Sequence, residues 1–308
     1  MNTMEQILTF CSRMKNEPID VFPDAPMSEH CTFRIGGSAD VLCVPHTEAA
    51  LAFALAQAKE LGLPVTILGN GSNVLISDDG IRGVVIKLMG GLTALEMRPD
   101  GRIWCEAGVP LKRLCTFALE NDLTGLEFAY GIPGSVGGAV YMNADAYGGE
   151  IKDVLQAVRL LDIADGRIFE KPASELKMAY RNTPFTDKKH VIIGAYFSLK
   201  TGDRNAIREK MEELLGRRKA SQPLNYPSAG STFKRPAGAY AAALIDGCGL
   251  KGFGVGGAKV SEKHAGFVIN AGGATCRDVR ELMAEIKRIV YEKEGFVLEP
   301  EVELIGED

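Results

Sequence analysis

The spacing of apolar and polar positions predicts alternating helices and strands, the pattern of a mixed α/β protein. Residues 47–61 carry apolar side chains three and four positions apart behind the capping residue Thr47, which predicts a helix. Short apolar runs at 65–68 and around 84–88 are predicted strands. A loop rich in glycine and asparagine, residues 69–73, follows the first of these strands, so this region is predicted to be a βαβ-like unit.

The same periods predict helices at 110–119, 205–219, 240–246 and 275–294, and strands at 154–163, 191–199 and 296–305. A capping-box spacing between Thr275 and Asp278 marks the start of the last helix. The pattern divides the chain into three consecutive blocks, residues 1–91, 92–202 and 203–308. The last strand is a candidate to return to the earlier blocks.

Composition narrows the class of protein. The 308 residues include 35 lysines and arginines and 40 aspartates and glutamates, a formal net charge of −5. This balance disfavours nucleic-acid binding, because the counterion release that drives it requires a basic surface. Apolar residues make up 46% of the chain, which excludes a disordered protein. Glycine is enriched, with 35 residues clustered mainly at 69–91, 125–149 and 247–273.

The seven cysteines lie far apart and form no C-x-x-C pair, which argues against a disulfide scaffold and a structural zinc site. The four scattered histidines do not suggest a metal site either. Residues 1–24 contain no apolar signal-peptide core, and no apolar run reaches the roughly 18 residues of a membrane span. We therefore expect a cytoplasmic protein that requires no metal and has no membrane partner.

The glycine clusters admit two interpretations, tight turns or a cradle of backbone N–H groups for an anion. Residues 247–252 match the G-x-G-x-x-G fingerprint, but they follow a predicted helix rather than a strand, so a helix exit turn is expected. The 69–73 loop does follow a strand, although Val74 stands where the third glycine of that fingerprint belongs. The sequence contains neither a Walker-type phosphate loop nor a G-x-S-x-G elbow.

Six segments in order carry a more specific signal: TFRIGG at 32–37, LGNGSNVL at 68–75, GIPGSVGG at 131–138, AYR at 179–181, SAGSTFK at 228–234 and KHAGF at 263–267. Together they resemble the UDP-N-acetylenolpyruvoylglucosamine reductase family over nearly the whole chain. The length and the short third block resemble the compact, second type of this family.

The resemblance implies a mixed α/β protein with an FAD-binding fold of the vanillyl-alcohol-oxidase type. The first two blocks would be its FAD-binding subdomains and the third a substrate-binding domain. No histidine lies in the first glycine loop, so the FAD is expected to be non-covalent. The matched cofactor-binding positions are Gly69, Asn70, Gly71, Ser72, Asn73, Ile132, Pro133, Gly134, Ser135, Gly137, Gly138, Asn143 and Ala144.

The implied reaction belongs to peptidoglycan precursor synthesis. NADPH reduces FAD, and a hydride then passes from flavin N5 to the methylene carbon of UDP-N-acetylglucosamine enolpyruvate, giving UDP-N-acetylmuramate. Arg181 matches the family's catalytic arginine, Ser231 its proton donor and Glu301 a glutamate that polarises the substrate carboxylate or shares a proton with it. Substrate contacts are expected from Tyr180, Tyr147, Lys234 and Lys251, and His264 is a further candidate. A monomer is expected.

Local sequence alone favours plainer roles: a surface arginine, a turn serine and solvated strand carboxylates at Glu299, Glu301 and Glu303. Two residues also depart from the family pattern: Asp145 where glycine is common, and Gly254 where arginine is common. Three alternatives therefore remain: another FAD-dependent oxidoreductase of the same fold, a non-catalytic flavin-binding protein, and a ligand-binding α/β protein without flavin.

Overall fold

The structure, a computed structural model, describes residues 2–306 and has a mixed α/β architecture. Its helices are α1 Thr3–Met14, α2 Glu48–Glu60, α3 Leu111–Glu120, α4 Val136–Met142, α5 Arg204–Ser221, α6 Ala241–Gly247 and α7 Cys276–Glu294. Its strands are β1 Ile19–Pro26, β2 Ser38–Pro45, β3 Val65–Leu68, β4 Val74–Ile76, β5 Ile81–Lys87, β6 Leu95–Met97, β7 Ile103–Glu106, β8 Leu123–Thr124, β9 Asp145–Ala146, β10 Gly149–Glu150, β11 Leu155–Asp162, β12 Ile168–Pro172, β13 His190–Phe197, β14 Lys200–Thr201, β15 Gly254–Val255, β16 Ala258–Val260, β17 Val268–Asn270 and β18 Glu303–Ile305.

Contacts divide the chain into two compact units, each assembled from separate segments. Among the described residues, unit 1 contains 2–23, 41–70 and 83–217, and unit 2 contains 24–40, 71–82 and 218–306. The sequence pattern, by contrast, gives three consecutive blocks. The assignment of those blocks to FAD binding and substrate binding stays a prediction.

Two sheets contain half of the strands in the described residues. The first has the order β1-β2-β5-β3, and β3 runs parallel to β5 although no helix lies between these two strands in the chain. The second has the order β12-β11-β13-β7-β6 and is antiparallel throughout. Alternate residues of β13 and β7 are fully buried, so the apolar faces of these strands contribute to the core that also contains α2, α3 and α4.

Unit 2 contains the three-stranded antiparallel sheet β15-β16-β17 and the parallel pair β18-β4. Its long helix α7 begins at Thr275, whose side chain accepts from the Asp278 N–H in a reciprocal capping box. Asp78 supplies two further acceptors, at 2.7 Å from the Cys276 nitrogen and 3.0 Å from that of Arg277. The first three N–H groups of α7 are thus satisfied by side chains, which fixes where the helix starts.

The predicted helices and most predicted strands are confirmed within one to three residues. The helix preceding the fingerprint at 247–252 is also confirmed, because α6 ends at Gly247 and the glycines form its exit turn. The strand predicted over 296–305 is wrong for most of its length: only 303–305 form a strand, and Pro300 makes an isolated bridge to Phe233. That last strand pairs with β4, in the first block of the sequence.

Over residues 2–306, the structure contains no helix with both the length and the apolar character needed to cross a bilayer.

Candidate functional site

The start of the first glycine-rich loop, residues 69 and 70, lies against the second glycine-rich loop in unit 1, and both loops were predicted to bind the cofactor. The Asn70 side chain donates a hydrogen bond to the Pro133 carbonyl, with Nδ2 at 3.2 Å from the oxygen. A Cβ added at Gly69 would lie 2.5 Å from the Ser135 hydroxyl oxygen. A side chain at position 69 would therefore displace the Ser135 hydroxyl, which caps helix α4.

The first loop presents backbone donors of the kind that bind a diphosphate. Over the described residues 2–306, the N–H groups of Asn70, Gly71 and Ser72 donate no hydrogen bond to another protein group. Gly71 has φ +64°, a left-handed conformation that lets successive N–H groups converge on an anion. These donors are available to an external acceptor, and the loop fits the diphosphate of FAD without any net positive charge.

The second loop leads into the short helix α4, which the sequence pattern missed. Ser135 caps this helix by accepting from the Gly138 N–H at 3.2 Å. At its other end Asn143 adopts φ +45° and is fully buried. Its side chain donates to Glu150 at 2.7 Å and accepts from the Lys152 N–H at 3.0 Å. Protein groups thus provide hydrogen-bond partners for both the Asn143 amide nitrogen and its oxygen. These bonds hold the segment from Asn143 to Lys152 in place.

The residues after Asn143 form a β-hairpin with a two-residue turn, in which β9 pairs with β10 and Asp145 lies opposite Glu150. Tyr147 and Gly148 connect the strands with φ +52° and +87°, the two positive values of a type I′ turn. A Cβ at Gly149 would lie 2.6 Å from the Phe128 ring, so the hairpin packs closely on that ring. The lysine that pairs with Glu150 lowers the pKa of that carboxyl. The hairpin is thus a firm support for Asp145.

Arg181 occupies a tight turn of its own, closed by mutual backbone hydrogen bonds between Ala179 and Asn182. Its φ is +49°, which is unusual for a residue with a side chain. The guanidinium lies over the Tyr180 ring at 5.0 Å and forms an ion pair with Asp145, with Nη1 2.6 Å from Oδ1. Sequence reasoning flagged Asp145 as unusual but did not find this partner.

Ser231 lies in unit 2, directly before Thr232 in the chain. Thr232 is buried and hydrogen-bonded. The Thr232 hydroxyl accepts from the Val268 N–H at 2.9 Å, and its own N–H donates to the Gly266 carbonyl at 2.9 Å. The Thr232 carbonyl accepts from the Glu301 N–H at 2.9 Å. The chain around Ser231 and that around Glu301 are therefore adjacent, as joint action on one substrate group would require.

The loop residue Asn73 also reaches this region, because its side chain donates to the Glu301 carbonyl at 3.1 Å. The Glu303 N–H donates back to the Asn73 carbonyl at 2.9 Å. These bonds connect the end of the first glycine loop with the C-terminal segment of unit 2. They position the backbone of Glu301.

The remaining predicted contacts lie nearer to solvent. Lys234 forms an exposed ion pair with Glu299, and Lys251 pairs with Asp246 at 2.6 Å across the exit turn of α6. Tyr180 is exposed, and so is Tyr147. Their roles in substrate binding stay predictions, as do those of Ile132, Pro133, Gly134, Gly137 and Ala144 in cofactor binding.

His264 is partly buried on unit 2. Its Nδ1 accepts from the Gly266 N–H at 3.1 Å, and its ring lies edge-on to Phe267 with centroids 5.0 Å apart. Burial lowers the pKa of this imidazole. The neutral form is therefore favoured, with the proton on Nε2.

Comparisons with known proteins agree with both parts of this description. Residues 39–171 match the family model described as FAD binding domain. Residues 222–305 match the model described as UDP-N-acetylenolpyruvoylglucosamine reductase, C-terminal domain. The first match includes the two glycine loops and the second includes Ser231 and Glu301, so FAD-binding and reductase-type segments occur in one chain.

The relatives named UDP-N-acetylenolpyruvoylglucosamine reductase match over the same span. One from Caldanaerobacter subterraneus subsp. tengcongensis is 48% identical over 93% of this chain and 94% of its own length. Another from Clostridioides difficile is 44% identical over 100% of both chains. The crystal structure of the Thermus caldophilus UDP-N-acetylenolpyruvylglucosamine reductase is 35% identical, with a TM-score of 0.79 over 93% of this chain and 98% of that one. Because relatives of this name align over nearly the whole chain and one solved structure of that name has a matching fold, this chain belongs to the UDP-N-acetylenolpyruvoylglucosamine reductase family.

Proposed function

We propose that the chain is an FAD-dependent oxidoreductase that uses NADPH to reduce UDP-N-acetylglucosamine enolpyruvate to UDP-N-acetylmuramate. The observation that carries this proposal is the similarity to named reductases over 93–100% of the chain, across both the FAD-binding and the C-terminal segments. Another FAD oxidoreductase of the same fold would account for the first segment only.

The glycine loops are the proposed holders of the cofactor. The N–H groups of Asn70, Gly71 and Ser72 would bind its diphosphate, and the segment 132–138 would line its ring systems. When bound, FAD supplies the hydride for the enolpyruvyl group after taking it from NADPH. The rest of the site then has to bind the substrate carboxylate and deliver a proton.

Arg181 is the proposed carboxylate-binding residue. A guanidinium suits this task because it is always charged and offers paired donors in a planar fork. Hydride addition to the enolpyruvyl double bond leaves negative charge beside the carboxylate, and a fixed positive charge there stabilises the transition state. The tight turn at 179–182 holds the backbone of Arg181 and so fixes the point from which its side chain extends.

Ser231 is the proposed proton donor and Glu301 its proposed partner. A serine hydroxyl is a weak acid, so its proton transfer has to be assisted by the negative charge that forms on the substrate and by neighbouring groups. Glu301 would share a proton with the substrate carboxylate or polarise it. Both residues belong to segments that Thr232 joins by a backbone hydrogen bond.

The experiment is a measurement of flavin content and of substrate-dependent NADPH oxidation by the purified protein. We expect flavin absorbance that is released on denaturation, and NADPH oxidation that depends on the enolpyruvyl UDP-sugar. UDP-N-acetylglucosamine, which lacks the enolpyruvyl group, serves as the control substrate. A colourless protein that takes up no FAD contradicts the proposal, and bound flavin without substrate-dependent turnover favours a different reaction or a non-catalytic flavin protein.

A further inference from the structure

The ion pair between Asp145 and Arg181 places a carboxylate of the protein where the proposed function needs a carboxylate of the substrate. The two charged groups are 2.6 Å apart, which is a direct charge-assisted hydrogen bond. The Arg181 side chain is only 16% exposed and that of Asp145 32% exposed. Solvent screens such a pair less than it screens an ion pair on an open surface.

Both partners are held by their backbones rather than by flexible stems alone. Asp145 lies on the hairpin that the Tyr147–Gly148 turn closes, and Arg181 lies in the turn between Ala179 and Asn182. The buried Asn143 amide connects these elements, since it lies two residues before Asp145 and donates to the Ala179 carbonyl at 3.4 Å. The backbone positions that bring the two side chains together are therefore fixed in this region of unit 1.

A carboxylate at this position has a predictable effect on ligands. An anionic ligand that approaches Arg181 meets a guanidinium whose charge Asp145 already neutralises. The two carboxylates repel each other if both stay close to Arg181, so binding of one weakens binding of the other. A ligand without a carboxylate experiences no such competition at Arg181.

We propose that Asp145 is an internal counter-ion of Arg181, which the substrate carboxylate must displace, and that it thereby lowers the affinity for carboxylate-bearing ligands. This inference rests on the proposed function, because it takes Arg181 as the carboxylate-binding residue. It gives the residue that departs from the family pattern a role in specificity. Asp145 acts through Arg181 and is a positioning residue rather than a catalytic one.

The test compares two ligands of the oxidised, flavin-loaded protein: UDP-N-acetylmuramate, which carries a carboxylate, and UDP-N-acetylglucosamine, which does not. Their Kd values are measured for the natural protein and for Asp145→Asn, which keeps the shape and an acceptor but removes the charge. We expect Asp145→Asn to bind UDP-N-acetylmuramate about tenfold more tightly, the effect of one partly screened charge. Its affinity for UDP-N-acetylglucosamine should not change.

Asp122→Asn is the matched control. Asp122 also pairs with an arginine of unit 1, Arg204 at 2.5 Å, and its φ of +56° suits asparagine. Removing this exposed charge should change neither Kd. Asp145→Ser is a second test variant, for which we expect the same selective gain as for Asp145→Asn.

Three results would overturn the inference: equal changes for the two ligands, no change for either, or selectively weaker binding of UDP-N-acetylmuramate. The last would mean that Asp145 orients Arg181 for the ligand. Loss of the folded, flavin-binding state in both variants would show a purely structural ion pair and would also overturn it. Failure of the proposed function is distinct, since the natural protein would then show no substrate-dependent NADPH oxidation.

Discussion

Several residues of the candidate site have backbone conformations that favour glycine or asparagine. Asn143, Tyr147 and Arg181 have φ values of +45°, +52° and +49°. A side chain with Cβ costs about 1–2 kcal/mol in this region of backbone space. Asparagine tolerates it, but arginine gains nothing from it locally. The arginine at position 181 therefore carries a local conformational cost, which a role for its guanidinium would offset.

Arg181→Gly distinguishes the role of the guanidinium from the role of the backbone turn. Glycine adopts φ +49° readily, so the turn and the flavin content should be retained, whereas kcat/KM should fall at least a hundredfold because the proposed electrostatic stabilisation is lost. The control is Lys188→Gly, at another positive φ of unit 1 (+57°), which should leave turnover unchanged. Flavin absorbance and steady-state kinetics measure both variants. Turnover of Arg181→Gly close to that of the natural protein would exclude the proposed role.

Ser231→Ala should affect one half-reaction only. Reduction of the flavin by NADPH should proceed at the normal rate, and reoxidation by the enolpyruvyl sugar should slow by a factor of about 10² to 10⁴, the usual contribution of a general acid. Stopped-flow absorbance of the flavin follows each half-reaction separately. Ser228→Ala, in the same loop, is the control and should behave like the natural protein. Equal loss in both half-reactions would count against proton donation.

His264 should make stability depend on pH. Its pKa is lowered in the folded protein because the ring is buried, so the unfolded chain binds a proton more readily. The stability that this neutral imidazole contributes is complete above about pH 6.5, the ordinary histidine value, and is lost as the pH falls below it towards the lowered pKa. In His264→Asn the unfolding free energy should fall less between about pH 7.5 and 5. Urea unfolding of both proteins across this pH range measures the difference. If the unfolding free energy depended on pH equally in both, His264 would be excluded as the cause.

At the scale of elements, long periodic segments could be predicted from the sequence and short ones could not. Helix α7 has a capping box, an apolar stripe and a terminal glycine, and each signal is local. Helix α4 begins Val-Gly-Gly, a poor helix-forming sequence, and its formation depends on packing against the core. The segment 296–302 is extended in sequence pattern, but only Pro300 there forms a bridge. Tertiary contacts decided both cases.

The site shows the same division. The glycine loops and Ser231 could be located by motif, because motifs are local. The Asp145–Arg181 pair could not, because residues 36 positions apart meet only once the hairpin and the turn are built. The only sequence signal was a charged residue in place of a small one.

Gly69→Ala tests whether the contact between the glycine loops is needed for cofactor binding. The added methyl group would lie 2.5 Å from the Ser135 hydroxyl oxygen, so either this hydroxyl, which caps α4, or the loop itself must move, and we expect the flavin content of the purified protein to fall by more than half. Gly216→Ala is the matched control. A Cβ at this position of helix α5 meets nothing within 4 Å, so the change should retain flavin and stabilise the helix by about 0.5–1 kcal/mol. Full flavin content in Gly69→Ala would show that the loops adapt.

For the molecule as a whole, binding of FAD should contribute to stability. A ligand that binds only the folded state at a hundredfold excess over its Kd adds about 2.7 kcal/mol. Removal of the flavin should therefore lower the Tm, and added FAD should restore it. Riboflavin, which has no diphosphate, should restore much less if the N–H groups of the 70–72 loop bind that group. Differential scanning calorimetry measures the shift in Tm. If FAD and riboflavin restored the Tm equally, the loop would not be the group that binds the diphosphate.

The hydrogen bond between Asn73 and Glu301 joins residues 228 positions apart in the chain. The paired strands β4 and β18 are separated by a similar length of chain. During synthesis on a ribosome, the segments 24–40 and 71–82 therefore emerge long before the partners that complete unit 2. Until then the edge of β4 and the glycine loop beside it lack their final hydrogen bonds. Completion of unit 2 is thus a late event in the synthesis of these residues, and nascent chains that stop before residue 300 should be selectively susceptible to proteases in unit 2.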